Sequence, residues 1–287
     1  MYEEFYGLNE KPFSILPDPD FIYWGRSHSM AFAMLEYGIL NQAGFTVITG
    51  EVGCGKTTLV RHLLDNITEE VCVGLVSNTN DDVKELLQWV LMAFGQPYEI
   101  GSTVAQYDQL RRFFEDQFKA GFRSTLIIDE AQNLGVQSME QLRMLSNINT
   151  NKNQLVQLIL VGQPELKVLL QRPDLRQFAQ RVSSDFHLGK LNYRETVGYI
   201  DHRMAIAGQR TPIFSEAAIE TIYEASEGTP RLINILCDTA LVYGFSSRSQ
   251  EILKGTVDEV IEDKRKFGIF DVGKPHAVTP IDSARAL

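Results

Sequence analysis

Apolar positions along the chain fall into two alternating textures. Short, mostly apolar runs at 45–49, 71–77, 125–128 and 155–161 are separated by longer stretches in which apolar residues recur every three or four positions. Runs of this length, with no polar alternation, predict strands of a parallel sheet buried on both faces. A shorter and more polar run at 185–188 predicts a fifth strand.

The stretches between the runs have helical spacing. Over 28–42 the stripe is Ala31, Met34, Leu35 and Gly38, extended by Ile39, and Gly44 ends it. Over 81–95 it is Val83, Leu86, Leu87, Val90, Leu91 and Phe94, with Trp89 also expected in the core. Residues 104–120 form another helix, and 137–149 present Met139, Leu142, Met144, Leu145 and Ile148. A helix beginning at Glu165 is interrupted at Pro173 and resumes over 175–182. Alternating strands and helices predict an α/β domain over 28–190, a mainly parallel sheet with helices on both faces.

Beyond Leu191 the strand texture disappears. Residues 195–207, 215–226, 231–245 and 257–267 are all helical in period, which predicts a small all-helical domain over 191–267. Ser215 fits an N-cap, with Phe214 and Ile219 spaced as a hydrophobic staple. Residues 1–27 are rich in aromatics and prolines, so they predict an ordered, non-helical arm that packs onto something. Residues 268–287 show no period and predict a disordered tail.

Chemistry concentrates at the ends of the apolar runs. The first run leads into Gly50-Glu51-Val52-Gly53-Cys54-Gly55-Lys56-Thr57, and Thr58 opens the next helix. This fits G-x-x-x-x-G-K-[ST] at every fixed position, in the strand–turn–helix setting that the motif requires. A nucleoside triphosphate needs a concave array of backbone N–H donors, and glycines keep side chains out of its way. The following helix offers its N-terminal N–H groups, Lys56 would reach the β- and γ-phosphates, and the Thr57 hydroxyl would hold Mg²⁺. The third run ends in Asp129-Glu130-Ala131-Gln132. At a strand's carboxyl end, downstream of a phosphate loop, Asp129 would orient Mg²⁺ and Glu130 would polarise the attacking water. The plainer alternative is that Asp129 only caps the next helix. Gln163 ends the fourth run, where ligands collect in open parallel sheets.

Composition narrows the setting. With 287 residues and 44% hydrophobic content, the chain can build one large or two smaller cores. A net charge of −10 gives no global attraction for nucleic acid or anionic membranes. No apolar run approaches the ~18 residues needed to span a bilayer, and Met1-Tyr2-Glu3-Glu4 has no signal-peptide pattern. A cytoplasmic protein is expected, recruited to the inner face of the cytoplasmic membrane only through a partner. Cysteines 54, 72 and 237 lack metal-type spacing. Cys72 and Cys237 read as core residues. Cys54 reads as a small residue fitted to the loop, with an acidified thiol at a helix N-terminus as the alternative.

A P-loop α/β domain followed by a helical lid resembles the AAA+ ATPases, over residues 28–267. In that resemblance Gly50–Thr57 is the Walker A motif and 126–130 the Walker B motif. Gln163 falls at the sensor 1 position, usually Asn, Ser or Thr. Gly228-Thr229-Pro230-Arg231 resembles sensor 2, which implies that Arg231 faces the γ-phosphate. The family places an arginine finger just before the fifth strand, where Arg176 and Arg181 lie; Arg181 is preferred because it is closer to the strand. The lead-in Phe5–Phe13 with Pro17-Asp18-Pro19, the run Gly162-Gln163-Pro164-Glu165-Leu166 and the run from Pro230 to Asp238 are similar to ATPase domains of the general secretion pathway protein A type. That narrower resemblance implies a stand-alone, cytoplasmic, ATP- and Mg²⁺-dependent ATPase, a homo-oligomer coupled to a protein partner in an envelope secretion, pilus or exopolysaccharide system. It also implies that residues 23–28 help enclose the adenine. The alternative is a DNA-binding regulator of the transposition-ATPase type.

Overall fold

The computed structural model describes residues 1–41, 44–77, 86–98, 101–149, 153–209 and 211–268. The helical elements in order are α1 (Glu3–Tyr6) and α2 (Arg26–Leu40), then strand β1 (Phe45–Gly50) and α3 (Lys56–Asn66). Strand β2 (Val71–Val76) is followed by α4 (Leu86–Ala93) and α5 (Thr103–Lys119). Strand β3 (Arg123–Ile128) precedes α6 (Val136–Ser146), and β4 (Val156–Gly162) precedes α7 (Pro164–Leu170) and the single turn α8 (Arg176–Ala179). Strand β5 (Val182–Leu188) is last, and α9 (Tyr193–Ile206), α10 (Glu216–Ser226), α11 (Pro230–Ser246) and α12 (Lys254–Phe267) follow.

The five strands form one parallel sheet in the order β2-β3-β4-β1-β5. Every residue of β1 and β4 is buried, as expected for central strands covered on both faces. Their side chains alternate between two cores. Phe45, Val47, Leu126, Ile128, Leu158 and Leu160 pack on the α4–α7 side, and Ile48, Ile127, Ile159 and Val161 pack on the α2–α3 side. Pairing of Thr49 with Gly162 and of Ile128 with Leu160 brings the carboxyl ends of β1, β4 and β3 to one edge. The loops that leave those ends are therefore neighbours.

The chain divides into two compact units. One is Leu16–Lys190; the other joins Met1–Ile15 to the described residues from Leu191 onward. The arm expected as one piece over 1–27 is thus split, because its aromatics find different partners. The Tyr2 hydroxyl bonds Asp238, the Tyr6 hydroxyl lies against the Leu241 and Ser249 carbonyls, and the Phe13 ring meets Phe214 edge-on. Ile22, by contrast, is buried with Ala31, Leu35 and Cys54, and the Pro17 carbonyl accepts from Arg61.

Several local expectations change. Trp89 is 37% exposed, because the buried stripe Leu86, Leu87, Val90 and Leu91 occupies the sheet-facing side of α4 and leaves position 89 outward. Met144 is exposed on α6 for the same reason. The helical stretch expected to 182 stops at Ala179, and β5 begins at Val182. As an edge strand it carries exposed polar residues, Ser183 and Asp185, so the run expected at 185–188 marks only its second half. The expected helical residues 81–85 and the expected tail from 269 lie outside the described residues.

Candidate nucleotide-binding site

The loop after β1 takes its shape from glycines, for distinct reasons. Gly53 and Gly55 have φ of 81° and 97°, a left-handed backbone that costs other residues roughly 1–2 kcal/mol. Gly50 has no such torsion; a Cβ there would lie 2.7 Å from the Leu188 carbonyl of β5. That first glycine therefore lets the loop's stem pass close to the edge strand. Gly55 is the N-cap residue of α3, so the helix starts directly out of the loop.

Lys56 is buried, and its ammonium donates to the Gly50 and Glu51 carbonyls at 2.7 and 3.0 Å. From beneath, His28 on α2 places Nε2 3.0 Å from the Cys54 carbonyl. A Cβ on Gly55 would lie 3.0 Å from the same nitrogen, so a larger residue there would crowd His28 as well as strain the backbone. Cys54 is fully buried, and burial pushes its thiol above the ordinary value. The acidified-thiol alternative is thereby set aside: Lys56 pulls the other way, but desolvation wins.

The Thr57 hydroxyl donates to Asp129 Oδ2 at 3.2 Å, which joins the loop to the end of β3. Asp129 Oδ1 accepts from the Glu130 backbone N–H at 2.9 Å. Burial raises the Asp129 carboxyl above its ordinary value, and the neighbouring Glu130 charge adds to that; the backbone bond, Thr57 and Lys56 only partly offset it. A hydroxyl and a carboxylate held together are hard oxygen donors that suit Mg²⁺, which takes one or two protein oxygens and completes its shell with phosphate and water. Among the described residues no group of three or more His, Cys, Asp or Glu is placed to hold a metal ion.

Glu130 sits in a left-handed backbone, φ 53° and ψ 37°, at the head of a short 3₁₀ turn. Its Oε2 accepts from Gln132 Nε2 at 2.6 Å and from Gln163 Nε2 at 3.1 Å. Gln163 is thus brought to Glu130, across from the end of β4. Among the expected residues, the structure gathers Lys56, Thr57, Asp129, Glu130 and Gln163 at one sheet edge. Arg181 Nη1 instead bonds the Arg143 carbonyl and Ser146 Oγ, at the end of α6. Arg176 is exposed on α8. Arg231 is exposed in the first turn of α11, in the helical unit, where Gly228 at φ 72° packs against the Leu191 backbone. Sequence reasoning gave no role to Gln132, and grouped His28 with adenine contacts. The signal for Gln132 was a polar residue two places past the acid at a strand's carboxyl end.

Sheet order, loop and acid pair together make a P-loop fold of the AAA type. Residues 39–170 match the family model described as AAA domain. The chain is 39% identical over 258 residues to general secretion pathway protein A of Aeromonas hydrophila, covering 90% of this chain and 47% of that protein. It therefore spans about half the length of the curated relative it matches. Among solved structures, the Aeropyrum pernix ORC2 protein in its ADPNP–ADP complexes superposes with a TM-score of 0.65 at 18% identity, over 89% of this chain and 72% of that one. The Thermotoga maritima RuvB Holliday junction branch migration motor gives 0.53 at 18% identity, over 92% and 76%. At these identities the likeness is one of fold. Among the described residues no helix is long and apolar enough to cross a membrane.

Proposed function

We propose that this chain hydrolyses the β–γ bond of Mg·ATP and uses the cycle to drive or gate assembly of an envelope secretion or exopolysaccharide system. The observation that carries the chemistry is the junction of the Thr57–Asp129 pair and the Glu130–Gln163 pair beside Lys56. Loop N–H groups from Glu51 to Thr58 cradle the phosphates and Lys56 neutralises their charge. Mg²⁺, held by Thr57 and directed by Asp129, would supply charge stabilisation for the transferring phosphoryl group. Glu130 accepts a proton from the attacking water while Gln163 fixes that carboxylate. Arg231 is assigned to the γ-phosphate, and Arg181, with Arg176 second, to a neighbouring copy's nucleotide. The Arg181 bonds to α6 mean that this finger must be released or reoriented to act.

The assembly role rests on the relative named for general secretion, of which this chain matches about half. A DNA-directed role has only fold likeness behind it, against a net charge of −10. The test is ATP turnover against protein concentration for wild type, Glu130→Gln and Lys56→Ala. Turnover per subunit should rise with concentration, and Glu130→Gln should lose at least about 100-fold while still binding ATP. Lys56→Ala should lose binding itself. Wild-type turnover in Glu130→Gln would remove the assignment.

A further inference from the structure

The Gln132 side chain uses both ends of its amide. Its Nε2 donates to Glu130 Oε2 at 2.6 Å, and its Oε1 accepts from the Gln163 backbone N–H at 2.8 Å. Gln163 closes the circuit, because its own Nε2 donates to the same Glu130 oxygen at 3.1 Å. The partners fix which way the amide points: a carboxylate only accepts and a backbone N–H only donates.

Two backbone features accommodate this bridge. Glu130 is one of three non-glycine residues with positive φ among the described residues, at 53°, a conformation that costs about 1–3 kcal/mol and persists only where its surroundings impose it. Gly162 is the other: a Cβ there would lie 2.7 Å from Gln132 Oε1, so any side chain would push the amide off the Gln163 N–H. Both the strand that carries the acid and the strand that carries Gln163 are shaped around one half-buried glutamine.

We infer that Gln132 is a positioning residue for hydrolysis, holding the Glu130 carboxylate and the end of β4 in one fixed relation. This rests on Glu130 being the base proposed above. The residue type matters. A neutral amide orients a carboxylate without competing for the proton, and it offers a donor to one neighbour and an acceptor to the other. Glutamate at 132 would keep the acceptor but set a second carboxylate against Glu130. Methionine would keep the length and lose both bonds. A base displaced by about an ångström can lose on the order of 100-fold in rate while substrate binding, made elsewhere, is untouched.

The experiment compares single-turnover hydrolysis, ATP affinity and melting temperature for wild type, Gln132→Met, Gln132→Glu, Glu130→Gln and the double variant Glu130→Gln/Gln132→Met. Both Gln132 variants should lose roughly 10- to 100-fold in rate with ATP Kd within about twofold of wild type. The double variant should be no slower than Glu130→Gln alone, because Gln132 acts only through that carboxylate. A Gln132→Met rate within about twofold of wild type overturns the inference. So does a double variant that loses the full factor again, since that marks a structural role independent of Glu130. Glu130→Gln at near wild-type rate is a separate result: it removes the base assignment, and this inference with it. Melting temperatures decide whether a slow variant is a folded one, and Gln132→Glu keeps the test open if Gln132→Met does not fold.

Discussion

Asp129 is the residue whose environment conflicts with its charge. Burial holds its carboxyl above the ordinary range, so the fold prefers the neutral acid. A carboxyl raised on folding adds stability that is complete below its unfolded value and is lost as pH rises through the folded one. At neutral pH the ionised group is therefore a cost to the nucleotide-free protein, which a bound cation would offset. Asp129→Asn should melt higher than wild type at pH 7–8, and the gain should shrink as pH falls toward 4. Mg²⁺-dependent ATP turnover should be lost in the same variant. A lower melting temperature at neutral pH would show that the bonds from Thr57 and the Glu130 N–H outweigh desolvation. The loop lysine, the threonine and the acid pair are legible in the sequence because local spacing dictates them. Gln132 is not, because its meaning is a bond to a backbone N–H thirty-one positions away, and His28 is not, because only the fold slides it beneath the loop.

At the scale of elements, two glycines separate torsion from crowding. Gly7 and Gly228 both adopt left-handed backbones, φ 70° and 72°, but nothing lies within 4 Å of a Cβ on Gly7, whereas a Cβ on Gly228 would collide with the Leu191 carbonyl. Gly7→Ala should cost about 1 kcal/mol, the torsional penalty alone. Gly228→Ala should cost clearly more, because the 190s backbone must move away from the start of α11. Urea unfolding of both variants checks the order, and equal losses would refute the crowding argument. The same scale shows what an apolar pattern can carry. The fully buried β1 and β4 announce themselves as continuous runs, and the helical stripes of α2 and α4 follow from period. Edge strand β5 does so only over its second half, 185–188, since solvent on one side admits serine and aspartate, and Trp89 shows that a large aromatic beside a stripe need not join it.

For the whole molecule, the chain passes between its units twice, after Ile15 and after Lys190. The first passage depends on Arg203, which is 6% exposed and donates to the Pro12 and Ser14 carbonyls and to the Tyr199 hydroxyl. Asn234 also donates to Ser14 O, and Tyr199 donates to Asn234. Removing residues 1–14 takes away two carbonyl acceptors of a buried guanidinium, a loss of about 1.5–3 kcal/mol for each hydrogen bond. The truncated protein should melt well below the full chain, and adding Arg203→Met should restore part of the difference. If Arg203→Met lowers the truncated protein further, the guanidinium has other means of support. No sequence pattern foretells this pairing, because each partner alone looks like an ordinary arm or an ordinary helix face.

The docking of Tyr2 on Asp238, 236 positions apart, also sets an order in time. At ~5–20 residues per second, the ribosome delivers Asp238 roughly ten to fifty seconds after Tyr2. During that interval the P-loop unit can close on itself, while Tyr2, Tyr6 and Phe13, all buried in the finished protein, have no native surface to cover them. Residues that emerge before the P-loop unit are thus among the last to find their places, and nascent chains halted before α11 would expose aromatic side chains that chaperones recognise.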